Sequence, residues 1–179
     1  MGWILIICRA VVLVAALLLA SCTVQSNQLG MLTSAATRQE DELAPYRWQV
    51  EFGVYRTQLI AVVVPDGTLF GNDDDDLVAF DGWLITEVQG FGLTSDISIV
   101  GQVGERMVRQ GSSRVGSQVC EDWQLVRIDN TAAQEQECVG EKRHRNRIAL
   151  DSKGSIIKIE QYIGIKSIGE SEVITLTKI

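Results

Sequence analysis

Trp48-Gln49-Val50-Glu51-Phe52-Gly53-Val54 alternates large apolar residues with polar or small ones, and this two-residue period decides the fold class. In an extended chain, successive side chains point to opposite faces, so such a run gives a half-buried strand with Trp48, Val50, Phe52 and Val54 turned inward. Gln58 to Val64 follows, apolar and rich in β-branched residues, and stops at the turn Pro65-Asp66-Gly67. Gly71 to Asp76 reads as an acidic loop. Leu77 to Phe80 and Trp83 to Gln89 then flank Asp81-Gly82, the signature of a hairpin. Gly90-Phe91-Gly92 breaks the pattern. Ser98 to Met107 reads as one strand whose Gly101 and Gly104 bend or bulge it.

The second half continues in the same way. Ser117 to Ile128 and Gln136 to Arg143 flank a polar turn at Asp129-Asn130. Arg147 to Leu150 and Ser155 to Ile163 flank Asp151-Ser152-Lys153-Gly154, and Val173 to Lys178 is a last strand. No sustained helical period appears after residue 45. Short strands at regular spacing fit a sandwich, a barrel or a curved meander. The expectation is all-β: an antiparallel curved meander sheet, half-barrel or barrel-like, over residues 45–179.

The N-terminus has another character. Gly2 to Ser21 carries one charge, Arg9, and its core from Val11 to Leu19 is made wholly of Val, Ala and Leu. That core is short for a membrane span and ends in small residues, as a cleaved export signal does. Leu19-Ala20-Ser21-Cys22 closes it and resembles the lipobox of bacterial lipoproteins. The resemblance implies a signal peptide over residues 1–21, cleavage before Cys22, and acylation of Cys22 with diacylglycerol and a fatty acid such as palmitate. Several acyl chains on one residue anchor stably where a single chain does not. Thr23, rather than Asp, then implies the outer membrane, facing the periplasm. Residues 22–44 read as the lipidated Cys and a flexible tether, rich in Ser, Thr, Gln and Asn. With Cys8 lost and Cys22 acylated, Cys120 and Cys138 remain as a pair in an oxidising compartment, and one disulfide is expected.

Charge and motifs narrow the function. The net charge of −7 argues against nucleic acid and against broad adhesion to anionic surfaces. The run Asn72 to Asp76 lacks the order and the closing Glu of an EF-hand, so it reads as a solvated loop and no metal or cofactor is expected. His144 lies in a basic run and no nucleophile elbow occurs, so no catalytic residue is assigned and the protein reads as a non-enzyme. In that run Arg143, Arg145 and Arg147 would share one strand face, a possible polymer-binding site for uronic or phosphorylated sugar. The plainer reading is an exposed edge strand protected by charge. Trp48, Trp83 and Trp123 fall on strand positions and read as core, since a sugar platform would need them exposed.

The run Val78 to Leu93, with Asp96-Ile97 after it, resembles a signature of the YjbF/GfcB lipoproteins: a short strand, a Gly, a Thr, a Gly-Leu and an Asp-hydrophobic pair. Asn146 to Asp151, Gly154, Ile156-Ile157-Lys158, Gln161 and Lys178 resemble that family's closing hairpin. The resemblance implies an antiparallel β fold and a role in exopolysaccharide or capsule production and secretion, with polysaccharide or the outer-membrane export machinery as partner. It supplies no catalytic residues. A rival reading is a carrier resembling the LolB half-barrel, whose apolar concavity would hold lipid or lipoprotein acyl chains. An open apolar lumen would favour it and a filled one would count against it.

Overall fold

The computed structural model describes residues 46–102, 104–165 and 172–179. The signal peptide, Cys22 and the tether lie outside the described residues. The first eight strands form a meander: β1 (Arg47–Phe52), β2 (Tyr55–Val64), β3 (Gly67–Gly71), β4 (Leu77–Phe80), β5 (Ile85–Gln89), β6 (Ile97–Gln102), β7 (Glu105–Gln110) and β8 (Ser113–Cys120). Then come β9 (Gln124–Ile128), β10 (Thr131–Val139), β11 (Arg143–Leu150), β12 (Ile156–Tyr162) and β13 (Val173–Lys178). β8 pairs with β10, β10 with β11, and the order runs on through β12 and β13 to β1. An antiparallel sheet thereby closes into a 12-strand barrel, with β9 lying beside β10. Closure covers most of the edge an open sheet would present, and β9, paired with β10, stays at the margin.

The alternation in β1 does what its period requires. Trp48, Val50 and Phe52 are buried and meet Phe70, Leu59, Ile174 and Leu176 in one continuous core. Trp48 and Phe70 pack edge to face with centroids 5.1 Å apart, as do Tyr55 and Phe91 at 5.6 Å. Val54 departs from the pattern and is exposed, because Gly53 takes a positive φ of 65° and turns the chain into β2. Ser98 to Met107 is likewise not one strand. Gly104, at φ 88°, lies between β6 and β7, and Ile97 to Gln102 pairs back on Glu105 to Gln110. The predicted strand Ser117 to Ile128 is two strands, interrupted at 121–123.

The interior is filled rather than hollow. Phe52, Phe70, Phe91, Leu59, Ile85 and Ile97 are among its largest fully buried side chains. Gln161, 2% exposed, crosses between walls that are not sheet neighbours. Its Nε2 donates to Ile85 O at 3.0 Å, and its Oε1 accepts from Ile85 N at 2.8 Å. Ile85 follows the register shift between Ala79 and Phe80, and the Gln161 amide stands in there for a ladder partner.

The acidic run also differs from a fully solvated loop. Asp76 is 3% exposed and accepts hydrogen bonds from Phe91 N (2.6 Å), Asn72 Nδ2 (3.0 Å) and Tyr55 OH (3.3 Å). Its carboxylate ties the β3–β4 loop to the break after β5, while Asp73 to Asp75 stay exposed. No group of three or more Cys, His, Asp or Glu side chains is placed to hold a metal ion among the described residues.

Candidate functional site

Arg143, Arg145 and Arg147 lie at alternate positions of β11 and share its outward face. β11 is not an edge strand, since β10 pairs on one side and β12 on the other, so the charge there does not guard an edge. The register places carboxylates opposite the guanidiniums. Arg143 Nη1 is 2.8 Å from Glu137 Oε1, and Arg145 Nε is 3.6 Å from Glu135 Oε1 and 3.7 Å from Glu137 Oε2. Arg147 reaches Glu135 Oε2 at 2.9 Å and Glu160 Oε2 at 3.6 Å. The face is therefore a ladder of alternating charge. Surface pairs of this kind contribute little to stability, about 0–1 kcal/mol each, but they moderate the pull on an anionic polymer. Glu135 and Glu137, alternating on the preceding strand, were the signal for these partners.

Cys120 and Cys138 are directly opposed on β8 and β10 and form a disulfide with Cα atoms 4.0 Å apart. The β8–β10 register holds this pair and Val119↔Val139, so the cross-link sits on the short seam that closes the barrel. Beyond it the chain crosses Glu121 to Trp123 and re-enters as β9 on the same edge of β10. Glu121 N donates to Glu137 O (2.9 Å), and Gln136 Nε2 donates to Glu121 O (2.6 Å).

The buried faces of the seam strands carry polar side chains among apolar ones. Arg106, Gln118, Gln136 and Asn146 take alternate positions beside Val108, Cys120, Cys138 and Ile148. Arg106 Nη2 donates to Gln136 Oε1, its Nη1 lies 3.9 Å from Cys138 Sγ, and Asn146 Nδ2 approaches the same sulfur at 3.4 Å. Among the described residues Arg106 has no ion-pair partner. Burial pulls its pKa down to about 10, against an opposing effect of Asp81, and the guanidinium remains charged at neutral pH. This buried cation was not anticipated; its place two residues before Val108 on one strand face was the available signal.

Beside these residues a groove of about 360 Å³ is lined by Val108, Val115, Gln118, Val119, Gly140 and Tyr162, among others. His144 stacks on Tyr162 with centroids 4.0 Å apart, and Lys142 Nζ lies 5.3 Å from the centroid of the Tyr162 ring. Lys142 also pairs with Glu172. Burial, then a hydrogen bond to Glu172 and the Glu172 charge, push the Tyr162 hydroxyl up to about 12. His144 Nδ1 is 3.1 Å from Lys142 O and Nε2 is 3.2 Å from Gln118 Oε1, so each ring nitrogen faces an oxygen.

Burial lowers the His144 pKa below its ordinary 6.5, outweighing the Lys142 carbonyl; the Arg106 and Lys142 charges lower it further and Glu172 opposes them. The unfolded chain then binds this proton more readily than the folded one. The stability linked to His144 is present above about pH 6.5 and is lost as pH falls through the folded value. Urea unfolding at about pH 7.5 and about pH 5 should show that loss, and His144→Phe, which keeps the ring on Tyr162, should reduce it. Equal pH dependence in both proteins would remove His144 as the cause.

The tryptophans separate. Trp48 is core, whereas Trp83 lies in the β4–β5 turn and is 51% exposed. Trp123, on the β8–β9 link, is partly buried, and the two indoles lie 5.8 Å apart at 42°. The expectation of core positions fails for Trp83, which follows Asp81-Gly82 and belongs to the turn rather than to a strand.

No known protein family and no curated protein matches this chain. Among solved structures, the crystal structure of the hypothetical lipoprotein YmcC from Escherichia coli (K12) is similar, with a TM-score of 0.52 over 79% of this chain and 89% of that one. Sequence identity is 9%. What the two share is the fold: an antiparallel β domain of this overall course.

Proposed function

We propose that this protein is a lipid-anchored envelope protein of the YjbF/GfcB kind, held at the outer membrane and facing the periplasm. It assists production or secretion of a surface polysaccharide by binding polymer or an export partner, without altering either chemically. The observation that carries the reading is the fold shared with a hypothetical lipoprotein over most of both chains, taken with the lipobox-like Leu19-Ala20-Ser21-Cys22. Acylation of Cys22 would place the barrel beside the membrane on the segment before residue 45. The packing of the barrel interior by its own side chains supports contact at the surface rather than enclosure. That packed interior also tells against the acyl-carrier reading, which needs an apolar lumen. Secreted and surface polymer should be measured in a deletion strain and in a Cys22→Ser strain under inducing conditions. Loss of polymer in the deletion strain is expected, and in Cys22→Ser wherever anchoring matters. Unchanged polymer in the deletion strain would contradict the proposal.

A further inference from the structure

We infer that Trp83 and Trp123 form a stacking platform for a neutral or amino-bearing pyranose unit, at the place where the β4–β5 turn meets the β8–β9 link. An indole that is 51% exposed leaves apolar surface in water, and here it stands beside a second indole at 5.8 Å. Both segments are held by bonds to their backbones. Asp81 Oδ1 accepts from Trp83 N (2.8 Å) and Leu84 N (2.7 Å), and Asp81 N donates to Leu84 O (2.9 Å). The Trp123 segment leaves the disulfide at Cys120 and is fixed through Glu121 by Gln136 and the Glu137 carbonyl. Such pre-organisation reduces the entropy lost when a ligand binds. Gly82 has open space on the side where a Cβ would stand, so the turn does not crowd its own tryptophan.

Charge chooses the occupant. Asp81, Glu121 and Asp122 are exposed acidic residues adjoining the two tryptophans in sequence, and Arg106, whose charge acts on Asp81, is buried away from a ligand. A pyranose can lay its C–H face on indole while its hydroxyls donate to carboxylates. A uronate, a phosphorylated sugar or an anionic lipid headgroup would meet like charge. The platform thus differs from the arginine face in place and in preferred ligand. It deepens the polysaccharide reading and rests on it for the source of the sugar.

The test uses the full-length protein in a sugar-free zwitterionic detergent, titrated with cellohexaose, chitohexaose or oligogalacturonate, and separately mixed with phosphatidylglycerol–phosphatidylethanolamine vesicles. Tryptophan emission and equilibrium dialysis report binding. A saturable response to at least one neutral oligosaccharide is expected, about tenfold weaker in Trp83→Ala and in Trp123→Phe, with oligogalacturonate weaker than the neutral ligand. Circular dichroism checks that each variant retains the fold. Neutral binding unchanged in Trp83→Ala would overturn the platform while leaving polymer binding in place. Absence of any neutral binding, or a response to vesicles alone, would also overturn it. The polymer phenotype of the deletion strain reports separately on the broader role.

Discussion

Gln161→Leu is expected to lower the unfolding free energy by roughly 3–5 kcal/mol, since it orphans two buried backbone groups at once. Leucine occupies a similar volume but offers no partner to Ile85 N and Ile85 O, which the Gln161 amide holds at 2.8 and 3.0 Å. Neither group can turn to water, because Ile85 is fully buried. The loss also falls on a contact that joins β12 to β5 across the interior, where β13, β1, β2, β3 and β4 intervene around the ring. Gln161→Glu is the stricter variant. It keeps the acceptor, removes the donor and buries a charge, so it should be at least as damaging at neutral pH. Mild acid should relieve part of that damage, because a protonated carboxyl can again donate. Urea denaturation of both variants measures the effect. A Gln161→Leu protein within about 1 kcal/mol of the parent would show that the amide bridge does not hold the two walls.

The second large effect is at the seam. Cys120→Ala with Cys138→Ala should reduce stability by about 3 kcal/mol, the value for a closed loop of this order of length, here a separation of 18 residues. Local consequences should exceed the global one. With β8 and β10 then joined only by the ladder pairs at 120↔138 and Val119↔Val139, the seam should open more readily than the rest of the barrel. Arg106 and Asn146 would lose the sulfur they approach and depend on Gln136 and Tyr162 N. Hydrogen exchange should therefore quicken first in β8 and in the second half of β10, while β1, β2 and β13 keep their protection. Uniform exchange and unchanged stability would mean that the seam holds without its cross-link.

Much of the fold was legible because burial imposes a two-residue period on a strand. Trp48, Val50 and Phe52 announced β1, and Asp151-Ser152-Lys153-Gly154 announced the hairpin between β11 and β12. The cysteine pairing followed from counting thiols against an oxidising compartment. What failed was local geometry that two structures can share. A glycine in an apolar run marks a bulge or a turn, and Gly104 proved to lie at a turn. Nothing in Glu121-Asp122-Trp123 distinguishes a strand interior from a link between two strands on one neighbour. Barrel closure and the Gln161 bridge were not legible, because each depends on partners distant in sequence; Gln161 and Ile85 are 76 residues apart. The candidate surfaces divide in the same way. Placing Arg143, Arg145 and Arg147 on one face needed only the strand period, but their carboxylate partners needed the register of β10 and β12. The exposed Trp83 needed the turn itself.

The proposed role needs a closed barrel filled by its own side chains and acting through its outer surface. Native mass spectrometry of the Cys22→Ser chain, purified from cells without lipid extraction, tests this most directly. The predicted result is a single species at the mass of the disulfide-bonded polypeptide, with no stoichiometric lipid retained. A bound phospholipid or fatty acid in equimolar amount would contradict the filled interior and return the carrier reading to the front.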